Sequence, residues 1–279
     1  MDFKANAKIN LSLDICGILD NGYHSVSMVM QSVELCDIIS IEKSHDITVK
    51  TDNPLIPDGK ENLAYRACEL MINEFRIPHG FSVKIKKNIP VAGGMAGGST
   101  DAAAVMRGIN EICNLNLSTE KLMELGLMLG ADVPFCIQKK PAHAEGIGEK
   151  LTPIKGLSTD LYILLVNPNI LISTKEIYSK IDDKKCFNIV DNETLISALK
   201  EQNLEKAIPH MKNVMQSVTE EICPEIGTVI NKLYENGADV ALMSGSGATC
   251  YGIFKSIETA HKAQKAFGEY FTAITNPVE

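Results

Sequence analysis

Residues 89–106, IPVAGGMAGGSTDAAAVM, concentrate four glycines in six residues directly before an alanine-rich run. The four glycines are Gly93, Gly94, Gly97 and Gly98. Three residues of the types that cap helices follow them: Ser99, Thr100 and Asp101. A helix N-terminus presents unpaired backbone N–H groups and partial positive charge, and glycines let the chain approach a ligand closely. The segment therefore predicts an anion site, in its commonest form for a phosphate chain, before a helix at 100–113.

The spacing of these glycines excludes two familiar phosphate motifs. A Walker A loop requires a lysine after its last glycine, whereas Ser99 follows Gly98. The dinucleotide fingerprint requires glycines two and then three residues apart, which this segment lacks. The segment thus indicates a phosphate site but does not identify the phosphate ligand. A flexible hinge before a helix stays the alternative interpretation.

Two charged residues outside this segment could also take part in catalysis. Lys8 stands on the polar face of an alternating run, where an ordinary solvated lysine is the simpler interpretation. Asp132 is the one charge between Glu124 and Lys139, which predicts a position near the core. A buried carboxylate is costly unless it is paired or hydrogen-bonded. Asp132 could therefore cap a turn before Pro134, or act as a catalytic base or ion-pair partner.

A third candidate is the stretch MSGSGATCYGIF at residues 243–254, in which two glycines alternate with Ser244 and Ser246. A tight hairpin between two apolar strands would explain it. Two donor hydroxyls beside exposed backbone could equally close over a phosphate.

Composition limits the possible partners of the chain. Its 279 residues, 45% of them hydrophobic, are enough for two ordinary domains. The net charge of −8 argues against binding to nucleic acid or to an anionic membrane. The charged N-terminus holds no apolar signal region. The eight scattered cysteines, without a CxxC pair, are typical of reduced thiols in a cytoplasmic protein and make a thiol metal cage improbable.

The hydrophobic pattern predicts strands mixed with helices rather than a regular βαβ alternation, which favours an α+β fold. Clean alternation over the first fourteen residues predicts a half-buried strand, and LTPIKGLSTD at 151–160 predicts a linker. The other predicted strands lie at 25–35, 37–44, 46–51, 81–89, 161–168 and 270–275, with two more flanking residues 244–247. The predicted helices lie at 61–75, 100–113, 119–129, 174–181, 193–201, 203–219, 225–236 and 256–268.

Three stretches in this order, KANAKINLSLD, PVAGGMAGGSTDAAA and MSGSGATCYGIF, resemble the three motifs of the GHMP kinases. The resemblance implies an α+β, two-domain GHMP kinase fold, with a ribosomal S5 domain 2-like N-terminal domain and a ferredoxin-like C-terminal domain. It places an N-terminal ATP-binding domain at 1–155 and a C-terminal domain at 156–279.

The resemblance also implies a set of site residues. Lys8 and Asp132 match the catalytic pair of the family, and Mg²⁺ would lie near Ser99 or Thr100. Tyr23, His24 and Tyr178 match positions that hold a cytosine, and Asn10 lines the acceptor side. The ATP phosphates would lie on Pro90, Val91, Ala92, Gly93, Gly94, Met95, Ala96, Gly97, Gly98, Ser99 and Thr100. Ala96 stands where glycine is usual, which makes a positive φ there less expected.

Four further stretches narrow the resemblance: GYHSV, GADVPFCI, AEGIGEKL and VNPNILISTKEIY. They are similar to the GHMP kinases that phosphorylate a cytidine diphosphate-linked methylerythritol, in the non-mevalonate route to isoprenoid precursors. The resemblance implies ATP and Mg²⁺ as cofactors, a small-molecule substrate, no nucleic-acid or membrane partner, and a monomer or homodimer. Two alternatives stay open: a kinase of homoserine or mevalonate type, and a non-catalytic nucleotide-binding regulator.

Overall fold

A computed structural model describes residues 1–20, 22–184, 187 and 189–279. The strands are β1 Asp2–Ile18, β2 His24–Ser44, β3 Thr48–Thr51, β4 Gly80–Lys86, β5 Ala142–Gly146, β6 Lys150–Pro153, β7 Tyr162–Asn167, β8 Val240–Met243, β9 Cys250–Phe254 and β10 Phe271–Thr275. The α-helices are α1 Leu63–Phe75, α2 Gly97–Ile112, α3 Thr119–Leu127, α4 Val133–Gln138, α5 Thr174–Lys184, α6 Asn192–Lys200, α7 Leu204–Ala207, α8 Val214–Ile222, α9 Glu225–Glu235 and α10 Ile257–Gln264. Short 3₁₀ turns cover Ile208–His210 and Lys265–Phe267.

The chain divides into two compact units that are discontinuous in sequence. The first unit comprises Met1–Ala7, Leu35–Val91 and Ala96–Lys139. The second comprises Lys8–Glu34, Ala92–Met95 and Lys140–Glu279. Strands β1 and β2 and the glycine segment each contribute residues to both units.

In the first unit, a sheet is covered by helices. β4 pairs antiparallel with residues 38–44 of β2 and parallel with β3. Helices α1 and α2 pack against each other. Each has a buried apolar stripe, and the stripe of α2 includes the predicted Ala102, Val105, Met106 and Ile109. Asn62 starts α1 by accepting a hydrogen bond from the Ala64 amide, the usual role of an N-cap asparagine.

In the second unit, β10, β7, β9 and β8 form an antiparallel sheet in that order. Residues 26–30 of β2 pair with β5, which pairs in turn with β6. β9 is buried throughout, and the Tyr251 hydroxyl donates to the Asn10 carbonyl oxygen at 2.8 Å. This hydrogen bond ties the sheet to the central part of β1.

The structure confirms the α+β class, and it corrects several predicted elements. The predicted strands at 25–35 and 37–44 are one strand, β2. The predicted helix at 203–219 is broken, because Pro209 cannot donate a backbone hydrogen bond and Asn213 caps a new helix, α8. Helix α4 and strand β5 were not predicted, and β6 overlaps the start of the predicted linker at 151–160. These missed elements are short, so their periodicity is weak.

The prediction of a half-buried first strand is wrong. Residues 7–15 of β1 are buried on both faces, and the polar face carries Lys8, Asn10, Ser12 and Asp14. Partners distant in sequence satisfy these side chains: Ser12 donates to Asn192, and Asp14 accepts from the Val190 amide. Alternation of polar and apolar residues shows that a strand has two chemically different faces. It does not show whether the polar face contacts solvent or polar residues from elsewhere in the chain.

Two further predictions can be compared with the described residues. The seven cysteines among them are thiols rather than disulfides, while Cys186 lies outside the described residues. None of the described helices is both long enough and apolar enough to span a bilayer.

Candidate active site

The glycine segment adopts a backbone suited to an anion. Ala92, Gly94 and Ala96 have positive φ values of 52°, 71° and 57°. Left-handed residues within a short segment turn successive N–H groups toward one side, as in anion-binding nests. Ala96 thus adopts the conformation that its side chain disfavours, and Gly97, which follows it, is already helical. Helix α2 therefore begins three residues earlier than predicted.

This early start corrects the predicted caps. Ser99, Thr100 and Asp101 lie inside the first turns of α2, whereas the N-cap is Ala96, which makes no side-chain capping bond. The amides at the start of the helix therefore lack a side-chain cap from Ala96. Such amides are suited to binding a phosphate oxygen.

Gly94 is the most constrained position in the segment. Its carbonyl oxygen accepts hydrogen bonds from Lys8 Nζ and from Ser244 Oγ, each at 3.0 Å. A Cβ atom at Gly94 would lie 2.1 Å from the Ser244 carbonyl oxygen, which is a severe clash with backbone. Only glycine fits this position without displacing the chain.

Lys8 is not the solvated lysine of the simpler interpretation. It is 5% exposed, and its Nζ donates to Asn10 Oδ1 at 2.6 Å as well as to Gly94. The side-chain amide nitrogen of Asn10, Nδ2, in turn lies 3.2 Å from Met28 Sδ. Lys8 is therefore held by neutral oxygens against the glycine segment, within the second unit.

The turn at residues 244–247 supports the same segment. Ser244 Oγ accepts a hydrogen bond from the Asn10 backbone N–H at 3.3 Å while it donates to the Gly94 carbonyl oxygen. Asn213, which sequence reasoning missed, donates to the carbonyl oxygens of Met243 and Gly245, both at 2.8 Å. The turn is thus a structural support, and contact between it and a phosphate stays a prediction.

Asp132 lies in the first unit, immediately before α4, and is half-buried rather than in the core. The apolar residues around it belong to α4, whose residues 133–137 are buried. The carboxylate makes no side-chain capping bond to α4. Helix capping therefore does not account for Asp132, and its role as a catalytic base or ion-pair partner stays a prediction.

His24 and Tyr178 come together in the second unit, as the resemblance implied. Their rings stack with centroids 4.4 Å apart and planes 27° from parallel. His24 Nε2 lies 2.7 Å from Asp182 Oδ1, and Tyr23 is 62% exposed. Sequence reasoning missed Asp182, although it stands four residues after Tyr178 on α5, a spacing that places two side chains on one helix face.

The two predicted magnesium residues differ in exposure. The Thr100 hydroxyl donates to the Asn6 carbonyl oxygen at 2.7 Å, and Thr100 is 1% exposed. Ser99 is half-buried. In the part of the chain that the structure describes, no group of three or more His, Cys, Asp or Glu side chains could hold a metal ion. Ser99 is thus the more accessible of the two hydroxyls, and a magnesium site beside either of them stays a prediction.

A second buried lysine lies beside the glycine segment, in the first unit. Lys87 Nζ donates to Asp101 Oδ2 at 2.8 Å and to Asp37 Oδ2. All three side chains are at most 4% exposed. Burial raises the pKa of Asp101 to about 8, against the opposing effect of Lys87 and with a further contribution from Asp37. The sequence shows this lysine and both carboxylates, but not that they meet.

These features together define a class. In this α+β chain, a glycine segment with left-handed residues leads into a helix, and its Gly94 carbonyl oxygen accepts a hydrogen bond from a buried lysine. This is the layout of a nucleotide-dependent phosphotransferase. The family models for the GHMP kinases N-terminal domain and the GHMP kinases C-terminal domain match residues 62–140 and 195–273. The chain belongs to the GHMP kinase family, an assignment that its similarity to curated relatives also supports.

The chain is 44% identical over 265 residues to the 4-diphosphocytidyl-2-C-methyl-D-erythritol kinase of Clostridioides difficile (strain 630), covering 93% of this chain and 90% of that one. It is 44% identical over 261 residues to the enzyme of the same name from Acetivibrio thermocellus, covering 93% and 92%. A crystal structure of 4-(cytidine 5'-diphospho)-2C-methyl-D-erythritol kinase superposes with a TM-score of 0.83 at 27% identity, covering 99% of both chains.

Proposed function

We propose that the chain transfers the γ-phosphoryl group of ATP to the 2-hydroxyl of 4-diphosphocytidyl-2-C-methyl-D-erythritol, giving the 2-phosphate and ADP. This reaction belongs to the non-mevalonate synthesis of isoprenoid precursors. The observation that carries the proposal is the 44% identity, over 93% of this chain, to a curated kinase named for that substrate. Use of ATP follows from membership of the GHMP kinase family.

Residues 90–100 would hold the triphosphate. The positive φ values at Ala92, Gly94 and Ala96, together with the start of α2, fit an anion chain better than they fit a plain hinge. Mg²⁺, bound with the phosphates beside Ser99, would neutralise their charge. Catalysis of phosphoryl transfer is mostly positioning and charge stabilisation, which a preformed segment provides.

Lys8 and Asp132 would act on the reacting oxygens. Asp132 would orient the acceptor hydroxyl and take its proton as the new P–O bond forms and the bond to ADP breaks. Lys8, which is buried and hydrogen-bonded to neutral groups in its unit, would stabilise the negative charge of the transferring oxygens. Asn10 would line the acceptor side and fix the Lys8 side chain.

Tyr23, His24 and Tyr178 would hold the cytosine. The exposed Tyr23 ring offers a face to a planar base, and aromatic stacking contributes about 1–3 kcal/mol for each base. His24 would bind the polar edge of the base. Because Asp182 engages Nε2, this interaction would use Nδ1. A site that hydrogen-bonds a polar edge rejects bases lacking it more strongly than an apolar pocket rejects changes in size.

The enzyme would have two domains. The family models lie on either side of the proposed domain boundary, which separates residues 1–155 from 156–279. The partner would be a small molecule rather than nucleic acid or membrane, and the enzyme would act in the cytoplasm as a monomer or homodimer.

The direct test is ADP release by the purified chain with ATP, Mg²⁺ and one alcohol at a time. We expect turnover with 4-diphosphocytidyl-2-C-methyl-D-erythritol and little with homoserine or mevalonate. Equal turnover with homoserine or mevalonate would replace the proposal with another small-alcohol kinase of this family. ATP binding without ADP release for any alcohol would indicate a non-catalytic regulator.

A further inference from the structure

Helix α5 holds the His24 side chain from two directions. The Tyr178 ring stacks on the face of the imidazole, with the two centroids 4.4 Å apart, and Asp182 Oδ1 lies 2.7 Å from Nε2. Tyr178 and Asp182 are four residues apart, a spacing that places both side chains on one face of a helix. Two residues of a single helix therefore fix one face and one edge of the imidazole ring.

The position of α5 is itself set by the core of the second unit. Ile177 and Ile181, which directly precede Tyr178 and Asp182, are fully buried. The helix also packs against α8. Because these contacts do not involve Tyr178 or Asp182, a substitution at either residue should leave the helix in place.

The carboxylate of Asp182 determines which nitrogen of the His24 ring can accept a hydrogen bond. A carboxylate oxygen only accepts, so the contact with Asp182 requires a proton on Nε2. In a neutral imidazole the other nitrogen, Nδ1, then carries no proton and is an acceptor. Among the residues that the structure describes, Asp182 is the one hydrogen-bond partner of this ring. Nδ1 can therefore accept a hydrogen bond from a ligand.

An acceptor at Nδ1 distinguishes cytosine from uracil. Cytosine carries an amino group that donates hydrogen bonds at the position where uracil carries a carbonyl oxygen, which only accepts. An acceptor nitrogen attracts the amino group and repels the carbonyl oxygen. A doubly protonated ring would donate from both nitrogens and would favour uracil instead. The position of the proton on the ring therefore decides which base the ring selects.

The stability of the fold does not account for the contact between His24 and Asp182. The Asp182 side chain is partly exposed, and ion pairs at such positions contribute little to stability. The carboxylate is also not needed to hold the ring against α5, because the stack with Tyr178 does so. What the carboxylate adds is control of the ring protons.

We propose that Asp182 is a positioning residue that keeps the proton of His24 on Nε2, so that Nδ1 accepts a hydrogen bond from the amino group of the substrate cytosine. Asp182 thereby favours cytosine over uracil without touching the base. The inference rests on the proposed function, in which His24 binds the base of a cytidine-linked substrate. It does not depend on how the phosphoryl group is transferred.

The test compares Asp182→Asn with the wild type on the cytidine substrate and on its uridine analogue. The amide keeps the shape of the side chain, but it can donate as well as accept, so it no longer fixes the ring proton. We expect the wild-type kcat/KM to favour cytidine by about a hundredfold or more. Asp182→Asn should lower this ratio about tenfold, the order of one hydrogen bond. The loss should appear in KM, while kcat for the cytidine substrate and the Kd for ADP stay unchanged.

Glu176→Gln is the matched control, because it removes one carboxylate from an exposed position on the same helix. It should discriminate between the two bases as the wild type does. An unchanged ratio in Asp182→Asn would overturn the proposal, since other groups would then read the base. An equal fall in Glu176→Gln would also overturn it, because the effect would then be one of general charge.

Nitrogen NMR of the ligand-free wild type, at the pH of the assays, tests the proton position without relying on a stable Asp182 variant. The ring signals of His24, identified by their loss in His24→Gln, should show a proton on Nε2 and none on Nδ1. In Asp182→Asn the two neutral forms should be mixed. A proton on Nδ1 in the wild type would overturn the proposal. Absence of turnover with both pyrimidine substrates would instead refute the proposed function, and the NMR spectrum would still show whether Asp182 positions the His24 proton.

Discussion

Lys8 and Lys87 are both buried beside the glycine segment, yet their surroundings differ. Lys87 contacts two carboxylates, Asp37 and Asp101, in the first unit. Lys8 contacts the neutral oxygens of Asn10 and Gly94 in the second unit. One ammonium thus lies between two carboxylates, while the other is oriented by neutral oxygens.

The difference shows that burial alone does not reveal the role of a lysine. A buried charge paired with opposite charges has its electrostatic interaction satisfied within the protein, and removing one partner leaves the others stranded. A buried ammonium held by neutral acceptors still lacks a counter-charge, which an anionic ligand can supply. The partners of a buried lysine, rather than its exposure, therefore distinguish the structural role of Lys87 from the proposed catalytic role of Lys8.

The largest expected effect is on stability, at Lys87. Replacing it by Met leaves two carboxylates buried without a cation, and breaking a buried pair costs about 3–5 kcal/mol. The free energy of unfolding, measured in urea at pH 7.5, should fall by that amount. Adding Asp101→Asn to Lys87→Met should restore part of the loss. Wild-type stability of Lys87→Met would remove the contrast between the two lysines.

Lys8→Met should have the opposite profile. Its partners are neutral, and the Gly94 carbonyl oxygen keeps the hydrogen bond from Ser244, so the melting temperature should move by only a few degrees. Turnover should fall by about a hundredfold or more, the effect of removing a preorganised electrostatic group. Lys4→Met, which changes an exposed lysine on the same strand, is the control. Full activity of Lys8→Met would exclude Lys8 from the mechanism.

Asp132→Asn tests the other member of the proposed pair. Because Asp132 is half-buried and makes no capping bond to α4, its amide should be tolerated by the fold. Turnover should fall by about a hundredfold, the lower end for a positioned acid–base group, while the Kd for ADP stays unchanged. Glu124→Gln changes an exposed acid on the preceding helix and should remain active. Retained turnover in Asp132→Asn would assign the proton transfer to another group.

Much of this arrangement is local and was predictable from the sequence. The glycine segment and the buried face of α2 follow from short motifs. The resemblance implied that His24 and Tyr178 share a cytosine site, but not that their rings stack on each other. The burial of Lys8 was not predictable, because residues far along the chain cover the polar face of β1. The cluster around Lys87 was missed for the same reason, since Asp37 lies fifty residues before it.

The smallest expected effect concerns the stack of His24 and Tyr178, in which His24 has a carboxylate partner, as Lys87 does. The His24 side chain is 14% exposed, and its partner Asp182 is 36% exposed, so solvent screens this pair more than the cluster around Lys87. Tyr178→Ala should lower kcat/KM for the cytidine substrate about tenfold, the value of one stacking contact. The Kd for ADP should not change. Tyr178→Phe keeps the ring and should stay near the wild type. An equal loss in both variants would assign the effect to the hydroxyl rather than to the aromatic face, and an unchanged Tyr178→Ala would move cytosine recognition elsewhere.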